Sequence, residues 1–149
     1  MFRFHKCRFH DSTMLELDSF PDFQVPSKLE ELALYRWPKL KSLPRPIQHS
    51  TSLTSLSISA FDGVEALPEW LGNLTSLTEL EISWCENLMY LPTVEAMQCL
   101  TKLHKLEIQR CPRLKERCTK DGPEWPKISH IPVIRVNGIL VRIGIIVTR

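Results

Sequence analysis

Glycine is scarce in this chain: five occur in 149 residues, against eleven prolines. Glycine-built hairpins should be few, and proline punctuates instead, so most turns are predicted to be open. Charge of one sign is lacking too. Nineteen lysines and arginines against seventeen acids leave a net charge of +2, which implies no polyanionic partner and hence no nucleic acid. The five cysteines (Cys7, Cys85, Cys99, Cys111, Cys118) contain no C-x-x-C pair. Such an odd, unclustered set reads as reduced thiols, and so as a cytoplasmic chain. No apolar run reaches the about 18 residues of a membrane span. The most apolar segment, His130 to Val147, is broken by Arg135, Asn137 and Arg142. It reads instead as one or two buried strands, with Asn137-Gly138 as a hairpin turn pair.

Catalytic signatures are missing as well. The chain has no G-K-[ST] phosphate loop, no H-E-x-x-H zinc helix and no G-x-S-x-G nucleophile elbow. A Cys118–His130 pair is better read as a plain thiol beside an unrelated histidine. Zinc held by Cys111, Cys118 and His130 would lack a fourth ligand and the usual spacing. No catalytic residue, metal or cofactor is therefore expected. The N-terminal FRFHKCRFH alternates basic and aromatic residues, as a base-stacking strip does, but the small net charge favours an irregular start. Its interleaved charges also do not fit a signal peptide.

What is present is a repeat. LEELALYRWPKLKSLP begins at Leu29, LTSLSISAFDGVEALP at Leu53, LTELEISWCENLMYLP at Leu77 and LHKLEIQRCPRLKERC at Leu103, at periods of 24, 24 and 26 residues. Counting each first leucine as zero, offsets three and five are apolar throughout: Leu32/Leu34, Leu56/Ile58, Leu80/Ile82 and Leu106/Ile108. Offset eight holds Trp37, Phe61, Cys85 and Cys111, and offset eleven Leu40, Val64, Leu88 and Leu114. A period of 20–29 residues with L-x-x-L-x-L is the leucine-rich repeat. Period-two alternation puts offsets three and five on one strand face, while offset eight plugs the corner and offset eleven returns to the core. One such coil cannot bury its own apolar face, so neighbouring coils must stack. The predicted fold is an α/β repeat solenoid, with a short parallel sheet on its concave face and loop or short-helix returns. Glu69 to Leu74 and Val94 to Leu100 are the candidate helices. The proline closing each of the first three copies is expected to end ladder bonding on the return side.

The expected organisation is an irregular segment 1–28 with a degenerate strand at Leu15 and Leu17, four repeats over 29–122, and a segment over 123–149. In that last segment Trp125 and Ile128 cover the open core. Alternation exposes offsets two, four and six of each strand, the natural binding face of such a fold. Offset two carries Glu31, Ser55, Glu79 and Lys105; offset four Ala33, Ser57, Glu81 and Glu107; offset six Tyr35, Ser59, Ser83 and Gln109. Arg36, Trp84 and Arg110 lie one residue further. The candidate protein-binding residues are thus Glu31, Tyr35, Arg36, Glu79, Glu81, Trp84, Lys105, Glu107 and Arg110, with aromatics to anchor and charges to select. A merely solvated sheet face is the bland alternative.

The W-C-E-N-L and R-C-P-R-L corners, followed by GPEWPKISHIP after Cys118, resemble the C-terminal repeats of plant intracellular immune receptors. These are the nucleotide-binding leucine-rich-repeat disease-resistance proteins of the coiled-coil class, and the likeness spans about residues 29–138. The resemblance implies a sensor and regulatory module. Such repeats hold a nucleotide-binding switch inactive and take part in recognising a pathogen effector or a guarded host protein. It also implies that this chain, without that switch, is a piece of a longer receptor, with ILVRIGIIVTR as an added tail. A stand-alone intracellular repeat scaffold and a non-functional truncated receptor product are the other readings.

Overall fold

The computed structural model describes residues 6–9 and 28–143, with Lys6–Phe9 and Ile143 as backbone. Seven strands form one sheet in chain order: β1 (Lys6–Phe9), β2 (Glu31–Tyr35), β3 (Ser55–Ser59), β4 (Glu79–Ser83), β5 (Lys105–Gln109), β6 (Val133–Val136) and β7 (Ile139–Ile143). Neighbours are parallel as far as β6, and β7 folds back antiparallel. A mostly parallel sheet with few, short helices fits the leucine-rich-repeat architecture that the period predicts.

The register is the repeat made physical. Leu32, Leu56, Leu80, Leu106 and Ile134 sit side by side across β2 to β6, and Leu34, Ile58, Ile82, Ile108 and Val136 form the next row. Both rows are buried, and so are the corner residues Trp37, Phe61, Cys85 and Cys111. Trp37 and Phe61 meet ring to ring, tilted, with centroids 5.9 Å apart. Leu40, Val64, Leu88 and Leu114 close the same core from the return side.

Proline starts the returns. Pro44 and Pro68 precede 3-10 turns at Arg45–His49 and Glu69–Asn73, where a missing N–H and a fixed φ cost nothing. The third return is a true helix, α1 (Val94–Gln98), whose N-cap Thr93 accepts from the Ala96 N–H at 3.3 Å. Two more short helices follow, α2 (Pro112–Arg117) and α3 (Trp125–Ile128). The return side is not without ladder bonds, contrary to expectation. Ala66 bridges Tyr90 in parallel, with the Leu67 N–H donating to the Tyr90 carbonyl and the Tyr90 N–H to that of Glu65. Proline removes only its own donor, and the residues just before Pro68 and Pro92 remain free to pair.

At the C-terminal end Ile128 and Ile131 are buried, and Trp125 packs against the core. Asn137 and Gly138 turn β6 into β7 with φ of 49° and 78°, the paired left-handed geometry of a type I′ hairpin that such a dipeptide favours. At the other end, the strand that pairs with β2 is Lys6–Phe9, which places Cys7 beside Leu32 and Phe9 beside Leu34. The expected degenerate strand at Leu15 and Leu17, the tail beyond Ile143 and the start of the basic-aromatic strip lie outside the described residues.

Candidate functional site

Each of the strands β2 to β5 leaves the sheet through a residue with positive φ. Arg36, Ala60, Trp84 and Arg110, all at offset seven, have φ of 60°, 60°, 56° and 54°. A single strained non-glycine residue suggests function; four at one offset are architecture. The kink aims each backbone N–H at the next coil. Arg36 donates to the Ser59 carbonyl, Ala60 to that of Ser83 and Trp84 to that of Gln109, each at 3.0 Å. After the last repeat, Asn137 supplies the acceptor from its side chain, Oδ1 taking the Arg110 N–H at 2.8 Å. A second bonded column runs at the strand entrances. The Thr54 and Thr78 hydroxyls donate to the carbonyls of Glu30 and Thr54, which also accept backbone N–H groups from the following coil.

The solvent-facing side of the sheet brings together Glu79, Glu81, Lys105 and Glu107. Glu79 is the register partner of Lys105, and Glu81 of Glu107. Glu107 accepts from Gln109 Nε2 at 2.7 Å and pairs with Lys105 Nζ at 3.7 Å. Glu81 has a like charge across the sheet, Glu107, and another on its own strand, Glu79. Partial burial pushes its carboxyl above the ordinary carboxylate range, Glu107 and Glu79 add to this, and Lys105 works against it. Glu31 lies on β2, separated from Glu79 by Ser55, so the acids cluster on β4 and β5. Ser83 departs from the expected exposed row, being buried at 8%. Its neighbours in the same row, Ser59 and Gln109, are half-buried.

Above this face the strand exits form a groove of about 480 Å³ lined by Tyr35, Arg36, Ser59, Ala60, Asp62, Trp84 and Glu86. Trp84 is 55% exposed, and the Arg110 guanidinium lies over its ring, 5.4 Å from the centroid. The structure therefore joins Tyr35, Arg36 and Trp84 in one groove, with Arg110 behind Trp84. Asp62 and Glu86 were missed by the sequence reading, although both stand at offset nine, where the other two repeats carry Pro38 and Pro112.

A buried carboxylate, Glu124, was missed too. It is 2% exposed, accepts the Leu91 N–H at 2.9 Å, and pairs with Lys127 at 2.9 Å and Arg117 at 3.6 Å. Lys127 and Arg117 also donate to the carbonyls of Leu91 and Met89. This cluster ties α2 and α3 to the third repeat. Beside it, burial holds the Cys118 thiol far above its usual range, at about 12, with Glu124 adding to the shift. A thiol that remains protonated at neutral pH is no nucleophile, and His130, its imagined partner, is exposed at the surface. Cys85 and Cys111 donate to the strand carbonyls of Ser83 and Gln109, which is a structural use of the corner. Among the described residues no group of three His, Cys, Asp or Glu side chains could hold a metal ion, and no helix is long and apolar enough to cross a membrane.

Comparison with known proteins adds one match. Neither a curated protein nor a solved structure matches the chain. Residues 45–111 match the family model of the R13L1/DRL21 LRRs, a leucine-rich-repeat family of plant NLR disease-resistance proteins, and the central repeats of this chain are similar to that family.

Proposed function

We propose that this chain is a non-catalytic protein-recognition and autoregulatory module of a plant disease-resistance receptor, acting in the cytoplasm in the defence response. In this reading its repeats wind as a solenoid with the strand face on the concave side. The observation that carries the reading is the acidic cluster on β4 and β5. Like charges directly across strands are destabilising, yet Glu81 and Glu107 occupy one register position with Glu79 alongside. A cationic partner surface would relieve that repulsion. The partner class is a protein: a pathogen effector, a guarded host protein, or the nucleotide-binding domain of the receptor. An autoregulatory module must bind the resting and active states of its switch with different affinity, and charge pairs across an interface supply such a difference.

The test is association of the full chain with the nucleotide-binding domain of such a receptor, comparing wild type with the Glu79→Lys/Glu81→Lys double variant. Binding should weaken about tenfold or more, the scale of one lost interfacial charge pair, at a melting temperature no lower than that of wild type, since the substitutions remove like-charge repulsion on the strand face. Equal binding by both chains would reduce the acidic face to a solvated surface.

A further inference from the structure

The groove at the strand exits has features that its architectural role does not require. Across three consecutive coils, offsets six and seven read Tyr35-Arg36, Ser59-Ala60 and Ser83-Trp84. The middle coil carries the two smallest side chains, which opens a gap between Tyr35 and Trp84. Those residues stand two strand steps apart, about 10 Å. One planar group between two rings needs about 7–8 Å, which is less than that strand spacing. Asp62 and Glu86 line the same groove, and their carboxylates form no hydrogen bond or ion pair among the described residues. Together they outnumber Arg36, the one cation among the described lining residues. The strand face directly below carries Glu79, Glu81 and Glu107 against Lys105. Both charge and shape therefore select a flat cation.

We infer that this groove takes a single arginine side chain from an extended segment of a partner protein. Its guanidinium plane lies between Tyr35 and Trp84, and its charge faces Asp62 and Glu86. Arginine fits better than lysine because a delocalised planar cation stacks on aromatic faces and donates to carboxylates at the same time. Arg110 already lies over the Trp84 ring, 5.4 Å from its centroid, which shows that this indole accepts a guanidinium. The inference deepens the protein-recognition reading above and rests on it, naming the residue that the partner must present.

The experiment titrates the full chain with three acetylated heptapeptides, Gly-Ser-Gly-X-Gly-Ser-Gly-amide, where X is arginine, citrulline or glutamate. Amide and indole resonances are followed by NMR, the Trp84 indole being assigned with a Trp84→Phe variant. Citrulline keeps the shape of arginine and removes its charge. The arginine peptide should shift the Trp84 indole and the Ala60 amide saturably, and bind roughly three- to tenfold more tightly than the citrulline peptide, the range for an exposed cation–π contact with a surface ion pair. The Asp62→Asn/Glu86→Gln double variant should erase that preference, and Trp84→Phe should keep most of it. Equal binding of the arginine and citrulline peptides overturns the inference, and tighter binding of the glutamate peptide overturns it by making Arg36 the reader. Shifts confined to the amides of β4 and β5 overturn the groove while leaving the strand-face reading standing. No saturable shift anywhere overturns the groove as an arginine site; the association measurement with the nucleotide-binding domain then decides the wider reading independently.

Discussion

At the scale of single residues, the strand exits show how an unfavourable conformation becomes a building rule. A non-glycine residue in the left-handed region costs about 1–2 kcal/mol, and this fold accepts that cost at Arg36, Ala60, Trp84 and Arg110. Each of them keeps a bonded N–H in return. Ala60 is the cleanest place to test the cost. Ala60→Gly removes the strain but adds about 0.4–1 kcal/mol of unfolded-chain freedom, so urea unfolding should show a net gain of about 0.5–1 kcal/mol. Ala60→Val, which puts a branched Cβ at positive φ, should lose more than about 1 kcal/mol in the same assay. Glu81 tests the electrostatics of the strand face. Its pKa is raised above the ordinary 4.5 by burial, then by Glu107 and Glu79. The folded state therefore binds the Glu81 proton more tightly than the unfolded chain does. That stabilisation is complete below pH 4.5 and is lost as pH rises through the raised value. Glu81→Gln should melt higher than wild type at pH 7, and the gap should close toward pH 4. A constant gap across that range would remove Glu81 as the titrating group.

At the scale of elements, the repeat unit sets tolerances as tight as any core. The 3-10 turn Glu69–Asn73 packs on α1 so closely that a Cβ on Gly72 would come 2.8 Å from the Ala96 carbonyl oxygen. Both partners there are backbone, and neither can swing away. Gly72→Ala should therefore destabilise by about 1–3 kcal/mol, read as a lower denaturation midpoint at an unchanged denaturant slope. Glu69 clamps the same two returns, accepting from the Thr93 N–H at 2.8 Å and its hydroxyl at 2.6 Å. Much of this level was legible in the sequence. The leucine columns gave β2 to β5 with their register, Asn137-Gly138 gave the last hairpin, and Glu69 to Leu74 and Val94 to Leu100 gave two returns. What stayed hidden was contact between columns that do not repeat. Asp62 and Glu86 share an offset, but nothing in a list of offsets says that they face a groove between Tyr35 and Trp84. Strand β1 went unseen because Cys7 and Phe9 stand where β2 to β5 carry leucine or isoleucine. Glu124 reads as an ordinary surface acid until folding places it against Leu91.

At the scale of the whole molecule, a stack in which each coil touches mainly its neighbours is stabilised from its ends as well as its middle. Beyond its strand pairing, the C-terminal end is held by a buried polar cluster. Glu124 binds the Leu91 N–H, Lys127 and Arg117, while those two cations bind the carbonyls of Leu91 and Met89, and Arg117 lies 4.7 Å over the Tyr90 ring. Removing one partner from a buried ion cluster strands the others, at a cost of about 3–5 kcal/mol. Arg117 and Lys127 keep 31% and 19% side-chain exposure, so the lower end of that range applies, about 3 kcal/mol. The loss should not be shared evenly. Glu124→Ala should release α2, α3 and the strands beyond them first, exposing the core rows of β5 and β6, while β3 and β4 keep their neighbours. Hydrogen exchange should then show amides of residues 105–136 losing protection ahead of those of 55–91, and the single unfolding transition should split. Glu124→Gln, which keeps the shape and the acceptor for Leu91 but not the charge, should fall between Ala and wild type. If Glu124→Ala instead lowers protection uniformly along the chain, the repeats unfold as one cooperative unit and the cap is not a separable element.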